Sequence, residues 1–410
     1  MKTILYLNCT DAGSTGKIIK DTAEVISEAG YKSVLCAPNI TEPNTDTLKK
    51  YRMPSRVFRA FAYRAAKITG NFYGWGSFTA RSVIRKIKQE KVDIVHIHCA
   101  NGHFINLYKL LKWLKKNKKP TVVTNHAEFF YTGNCDHAYD CDRWMNGCGK
   151  CPRHLSKIDT TAKWWRKMKA CFVDFPQLIV TSVSPWVMER SSASPIMEGV
   201  SQRLVLNGAN TDVFHIYSNR DVWKDYGIQT QGKRVVLYVT ACFYGDRPEK
   251  GSEHLLRLAA QMAEENVLFV VAGSYVQGVK VPDNICLLGK ISDQTKLAQL
   301  YSAADLALIT SQRETFSMPV AEALCCGTPI VGFRAGGPES IALEEYCQFV
   351  EYGDVLSLAE ALRKKWLAYK TEENTTEISL KAFEKYDKKG MAQQYMLLYE
   401  EMMEAKMTHE

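Results

Sequence analysis

Glu314 and Glu322, eight residues apart near the C-terminal end of a 410-residue chain, are the residues whose types and spacing speak most directly of chemistry. Between them runs Thr315-Phe316-Ser317-Met318-Pro319-Val320-Ala321. Pro319 suits the first turn of a helix, where no intrahelical bond needs its missing N–H. The amides of Phe316 to Val320 would then stand unpaired at the positive end of a helix dipole, which is an anion site. With a carboxylate on either side, one ligand can be held by hydroxyls at two places while a phosphate spans the amides. A molecule built of sugar, diphosphate and ribose answers that description. Two glutamates at this spacing are equally compatible with an ordinary strand–loop–helix unit whose carboxylates are solvated. Lys250, just ahead of a helix expected over 252–263, sets an ammonium at a second helix start, with Arg247 three residues before it. That pair is apt for a departing diphosphate, although a surface turn would look the same.

The N-terminal half offers a glycine-rich turn, Gly13-Ser14-Thr15-Gly16-Lys17, between a strand over 2–8 and a helix to about Ala29. Its spacing is neither that of a P-loop nor GxGxxG. Val92 to His98 and Pro120 to Asn125 are apolar runs of buried-strand length. In doubly wound sheets the ligand crevice lies beyond the carboxyl ends of strands, which puts His98, Asn101 and His126 on the functional edge. His96, inside its strand, reads as a hydrogen-bonded structural group. Cys135, Cys141, Cys148 and Cys151 follow in the pattern Cys-x5-Cys-x6-Cys-x2-Cys. Four thiols so close together, in a chain whose other nine cysteines are scattered, suggest a structural Zn²⁺ stapling a loop, with free thiols as the alternative.

The elements that must position these groups alternate strand and helix through both halves, with strands expected at 178–184, 234–240, 267–273, 285–289, 305–310 and 329–333. No apolar run approaches the roughly 20 residues of a membrane span, and residues 1–7 pass into polar sequence without a cleavage pattern, so a cytoplasmic protein is expected. The net charge of +9 is uneven: residues 1–205 hold 32 Lys and Arg against 16 Asp and Glu, residues 206–410 hold 21 against 28. Only one half is therefore suited to a negatively charged partner. Three basic stretches with interleaved aromatics, in 47–91 (read as helical), 107–119 and 163–169, match either solvated helix faces or an anionic membrane surface.

Glu-x7-Glu around Phe-Ser-Met-Pro, followed by Cys325-Cys326-Gly327-Thr328-Pro329 and Gly336-Gly337-Pro338-Glu339, resembles the retaining glycosyltransferases of family 4. The resemblance runs over nearly the whole chain. It implies an α/β fold of the GT-B kind, two Rossmann-like domains facing an interdomain cleft. It further implies that Glu314 and the amides of Phe316, Ser317 and Met318 hold the donor sugar, that Glu322 binds ribose, and that Lys250, with Arg247, meets the diphosphate. Gly13 and Gly16 correspond loosely to the family's glycine-rich loop, and His126 to a histidine near the donor sugar. The subset with a Cys-rich insertion usually has His-Asp at that strand end. Here the order is His126-Ala127-Glu128, leaving Glu128 as a stand-in beside His98 and Asn101 on the acceptor side.

The expected domains are 1–205, with an insertion at 131–154 and a returning helix at 388–410, and 206–387. The expected reaction moves a hexose from a nucleotide sugar to a glycan or a polyprenyl-diphosphate-linked acceptor in bacterial-type surface polysaccharide synthesis, without a catalytic metal and without nucleic acid. The protein would sit at the inner face of a membrane. A sugar-nucleotide epimerase of the same fold is the first alternative. A zinc-stabilised nucleic-acid-binding protein using the basic half is the second.

Overall fold

The structure, a computed structural model, describes residues 1–53, 56–230, 232–244, 248–366 and 371–407. The chain forms two compact units, Met1–Leu206 with Met391–Glu410, and Asn207–Gly390. Each is built on a parallel sheet, as GT-B proteins are.

In the first unit the strands are β1 (Thr3–Leu7), β2 (Lys32–Ala37), β3 (Leu48–Arg52), β4 (Ile94–Ile97), β5 (Thr121–Asn125), β6 (Leu178–Ser182) and β7 (Ser201–Leu204), in spatial order β3-β2-β1-β4-β5-β6-β7. All neighbours pair in parallel. β1, β5 and β6 are buried at every position, which explains their unbroken apolar look in sequence: helices cover both faces of such a sheet. The helix Lys388–Met407 contributes Met391, Tyr395, Leu398, Tyr399 and Met402 to the core of this unit.

One expectation fails here. Residues 47–91 are not helical throughout: β3 occupies Leu48–Arg52, ahead of the helices Arg56–Thr69 and Ser77–Gln89. β3 is an edge strand, and lysines are common on edges. Lys50 points inward, where its ammonium meets the buried carboxylate of Asp11 at 3.1 Å, so a charge in the sequence reads as solvent-facing although it is paired.

The second unit repeats the plan with β8 (Arg234–Phe243), β9 (Val267–Tyr275), β10 (Ile285–Gly289), β11 (Leu306–Ile309), β12 (Ile330–Phe333) and β13 (Cys347–Val350), ordered β10-β9-β8-β11-β12-β13. These too are parallel. In each sheet the strand order reverses at one place, between β1 and β4 and between β8 and β11. There the connections leave toward opposite faces and open a crevice at the strand ends.

Candidate active site

The reversal in the second unit is where its chemistry gathers. Lys250 follows β8, Glu314 follows β11, and their side chains meet across the switch point, Lys250 Nζ to Glu314 Oε1 at 2.8 Å. Ser311 Oγ donates to the same carboxylate oxygen at 2.8 Å. Both charged side chains keep some exposure, 25% and 18%, so a ligand can reach them.

The backbone behind each group is firmly held. The Lys250 carbonyl accepts from Tyr238 Oη at 2.6 Å and from Thr310 Oγ1 at 3.1 Å. Gln312 N–H donates to the Glu249 carbonyl at 2.8 Å, tying the two strand-end loops together. Gly251 (φ +77°) caps the helix Ser252–Gln261 and lies so near β11 that a Cβ would stand 2.0 Å from the Thr310 carbonyl oxygen. Glu314 is bridged through its backbone to Ala335 and Gly337, and a Cβ on Gly337 would stand 2.5 Å from Phe316 N. These close backbone approaches leave no room for side chains. They fix where Lys250 and Glu314 begin.

Next comes the helix Met318–Cys325, with Pro319 in its first turn. The Phe316 ring turns inward and meets Tyr386 edge-on at 6.3 Å. Ser317 caps the helix in a left-handed conformation, φ 89°, without a side-chain cap bond, and its buried hydroxyl finds no partner among the described residues. The first amides of a helix have no intrahelical acceptor, so the stretch from Ser317 presents an anion site beside the Lys250–Glu314 pair. Glu322, one turn further on, is 9% exposed.

Strain at Ser317 has a measurable consequence. A non-glycine residue held at φ 89° costs on the order of 1–3 kcal/mol, and an unsatisfied buried hydroxyl adds to that. Ser317→Gly is therefore expected to raise the stability of the ligand-free protein by about 1 kcal/mol, after the added chain entropy of glycine is subtracted. Thermal unfolding reads this directly. A lower melting temperature would show that the serine side chain contributes a contact worth more than the strain.

In the first unit, Asn8 spans the reversal between β1 and β4. Its side chain donates to Thr10 O and Thr15 Oγ1, and accepts from Cys99 N–H at 3.1 Å. Gly16 is required by the turn, since a Cβ there would sit 2.4 Å from the Asp11 carbonyl carbon, and Gly13 opens the helix Gly13–Glu28 at φ +71°. His98 and His126 stack at 5.1 Å with His98 Nδ1 and His126 Nε2 2.8 Å apart. Burial pushes His126 down to about 3 and holds His98 below the usual histidine range, so both are neutral and act as hydrogen-bonding groups, not acids. His98 Nε2 is buried without a partner among the described residues. His96 is structural, held between Tyr399 Oη and Thr124 Oγ1 at 2.7 Å each. Asn101 lies half-exposed in the loop after β4.

Glu128 departs from the expectation of an acceptor-side carboxylate. It is fully buried, and its Oε2 takes both Nε and a terminal nitrogen of Arg190 at 3.1 and 2.9 Å. Its Oε1 accepts Ala138 N–H. A carboxylate bonded at both oxygens and 0% exposed anchors the following loop and lies out of a substrate's reach. The sequence held no sign of Arg190 as its partner, 62 residues away. Arg247 lies outside the described residues.

All four clustered cysteines are half-buried free thiols. They are neighbours: burial and the charges of the other three push Cys135 up to about 12, and burial with Cys141 and Cys151 does the same for Cys148. Among the described residues, however, no three His, Cys, Asp or Glu groups converge as a metal site would require. The donor set suits Zn²⁺, and the zinc expectation rests on those residue types.

Two family models divide the chain between them. The model described as Glycosyltransferase Family 4 matches residues 15–190, and that described as Glycosyl transferases group 1 matches 225–382, the stretch that carries Lys250, Glu314 and Glu322. The chain has the GT-B fold, and each half matches a glycosyltransferase model. It is 22% identical over 276 residues to the N-acetyl-alpha-D-glucosaminyl L-malate synthase of Bacillus anthracis, covering 67% of this chain and 65% of that protein, slightly under two thirds. To the Escherichia coli (strain K12) glycosyl transferase WcaC, named for colanic acid biosynthesis, it is 22% identical over 321 residues, 75% of this chain and 76% of that one. Among solved structures, Anabaena Alr3699/HepE in complex with UDP superposes with a TM-score of 0.67 at 14% identity, over 98% of this chain and all of that one.

Proposed function

We propose that the protein transfers a hexose from a nucleotide sugar, with retention of anomeric configuration, to a glycan or polyprenyl-diphosphate-linked acceptor of a surface polysaccharide. The observation that carries this reading is the Lys250–Glu314 pair at the switch point, set against the amide end of the helix Met318–Cys325. Donor binding would part the pair. Glu314 and the amides of Phe316 to Met318 then hold sugar hydroxyls, Glu322 holds the ribose, and Lys250, with Arg247, faces the diphosphate. Positive charge from Lys250 and the helix end stabilises the leaving group, the role a divalent metal plays in other transferases. Glu314 is engaged by Lys250 and Ser311, which suits an orienting carboxylate better than a nucleophile. A same-face reaction, in which the departing phosphate takes the acceptor's proton, follows by analogy.

WcaC's naming for colanic acid biosynthesis and the UDP held by the structurally similar Alr3699/HepE support the polysaccharide setting and a nucleotide donor. Gly13, Gly16, His98, Asn101 and His126 share the carboxyl edge of the first sheet, the proposed acceptor side. Zinc at Cys135, Cys141, Cys148 and Cys151 remains a proposal, read by metal analysis of the purified protein.

Thermal stabilisation by UDP, GDP, ADP and dTDP at matched concentration tests the reading. Saturation at about 100 times Kd adds ~2.7 kcal/mol. One nucleotide should stand out and lose its effect in Glu322→Ala. A flat response from a folded protein would overturn it, and steeply salt-dependent binding to DNA or RNA would then favour the nucleic-acid alternative.

A further inference from the structure

The three basic stretches of the first half part company in the structure. In the helices Leu107–Lys116 and Thr161–Phe172 the large apolar side chains turn inward. Leu107, Leu110, Leu111, Leu114, Trp164 and Trp165 are all buried and Trp113 is half-buried, so neither helix carries a large apolar side chain exposed as Phe61 and Ile68 are. The helix Arg56–Thr69 is different. Phe61 and Ile68, seven residues apart on one side, are 59% and 55% exposed, with Arg64 and Lys67 beside them.

A second segment joins this face. Lys157 N–H donates to the Lys67 carbonyl at 3.0 Å, and Thr160 Oγ1 donates to the Thr69 carbonyl at 3.0 Å, fastening residues 153–160 to the end of the helix. That segment presents Leu155 and Ile158, each 70% exposed, with Arg153 and Lys157 beside them in the chain.

The charge around the face is one-sided. The helix Arg56–Thr69 carries Arg56, Arg59, Arg64 and Lys67 and no Asp or Glu. Asp159 is the one carboxylate between Arg143 and Val173, and it is turned inward onto Cys151 N–H, Thr161 N–H and the Thr161 hydroxyl. Exposed aliphatic and aromatic groups flanked by cations match a surface that is anionic outside and hydrocarbon just beneath. Among the described residues no helix is long and apolar enough to cross a membrane, so contact at the interface is the mode this face allows.

We propose that Phe61, Ile68, Leu155 and Ile158, with Arg64, Lys67, Arg153 and Lys157 around them, seat the first unit on an anionic lipid surface. The apolar groups enter the headgroup boundary, and the cations pair with lipid phosphates. This stands apart from the transferase reading, because the assay needs neither donor nor acceptor.

Flotation with phosphatidylcholine vesicles, with and without about 30 mol% phosphatidylglycerol, tests it. The full chain should float with the anionic vesicles only, and less as salt is raised. The quadruple substitution Phe61→Ser, Ile68→Ser, Leu155→Ser, Ile158→Ser should cut partitioning about ten-fold or more with the melting temperature unchanged, as should Arg64→Glu with Lys67→Glu. Lys112→Glu with Lys116→Glu, an equal charge change on the helix Leu107–Lys116, should leave it within about two-fold. The proposal is overturned by failure of the unaltered protein to float, or by an equal loss in the Lys112/Lys116 control. Self-association abolished by the quadruple substitution, without flotation, would overturn it in favour of a second copy of the chain.

Discussion

Lys250→Ala should lower kcat by about 10²–10³, the cost of removing one preorganised charge from a developing anion. The ammonium is aimed by its surroundings. Its carbonyl is held by Tyr238 and Thr310, and the next residue is wedged against β11, so the side chain leaves a fixed point at the switch. Stability should change little, by about 1 kcal/mol or less, because the ion pair it makes with Glu314 is partly solvated. Nucleotide affinity should fall less than kcat, since charge on the diphosphate grows as the sugar bond breaks. Glu314→Gln is the companion test. It frees Lys250 from its resting partner while removing the group proposed to orient the sugar, so KM for the donor should rise. Turnover of the donor found by nucleotide screening is the readout. If Lys250→Ala retained kcat within three-fold of the unaltered protein, roughly half a factor of ten in the logarithm, the diphosphate role would be lost.

The reach of sequence reading differs between the two units for a physical reason. Around Glu314 the functional groups sit within one strand–loop–helix unit, so Ser311, Glu314, Ser317 and Glu322 fall within twelve consecutive residues and can be read as one motif. Buried parallel strands such as β5, β6 and β11 were legible for a related reason, being short unbroken apolar runs. Contacts made across the sheet were not. Tyr238 and Thr310, which hold Lys250, are 72 residues apart, and Arg190, which consumes Glu128, is 62 residues from it. β3 was hidden because a lysine inside a strand looks solvated until its buried carboxylate partner, 39 residues away, is known. Likewise the basic aromatic stretches looked alike in sequence. Only side-chain direction separates the helix that exposes Phe61 and Ile68 from the two that expose no large apolar group to that degree.

Gly251→Ala should be among the most damaging single-methyl substitutions in the second unit. Two costs combine. The residue has φ +77°, a conformation that disfavours any Cβ by about 1 kcal/mol. The added methyl would also stand 2.0 Å from the Thr310 carbonyl oxygen and 2.7 Å from its carbon, and backbone atoms cannot swing aside as a flexible side chain would. Forcing the loop and β11 apart should bring the total to about 3 kcal/mol or more. It should also displace Lys250 and loosen the Gln312–Glu249 bond, so nucleotide affinity should drop about ten-fold or more even where the protein still folds. Gly278→Ala separates the two costs. Gly278 has nearly the same conformation, φ +81°, with open space where its Cβ would be, so only the backbone cost of about 1 kcal/mol applies. Denaturant unfolding of both variants, with nucleotide titration alongside, gives the comparison. Equal losses from the two would mean that β8 and β11 do not hold the Lys250 loop as tightly as the geometry requires. A loss two or more kcal/mol larger at Gly251, ~30-fold in the folding equilibrium, would locate the rigidity of the site in that one backbone contact.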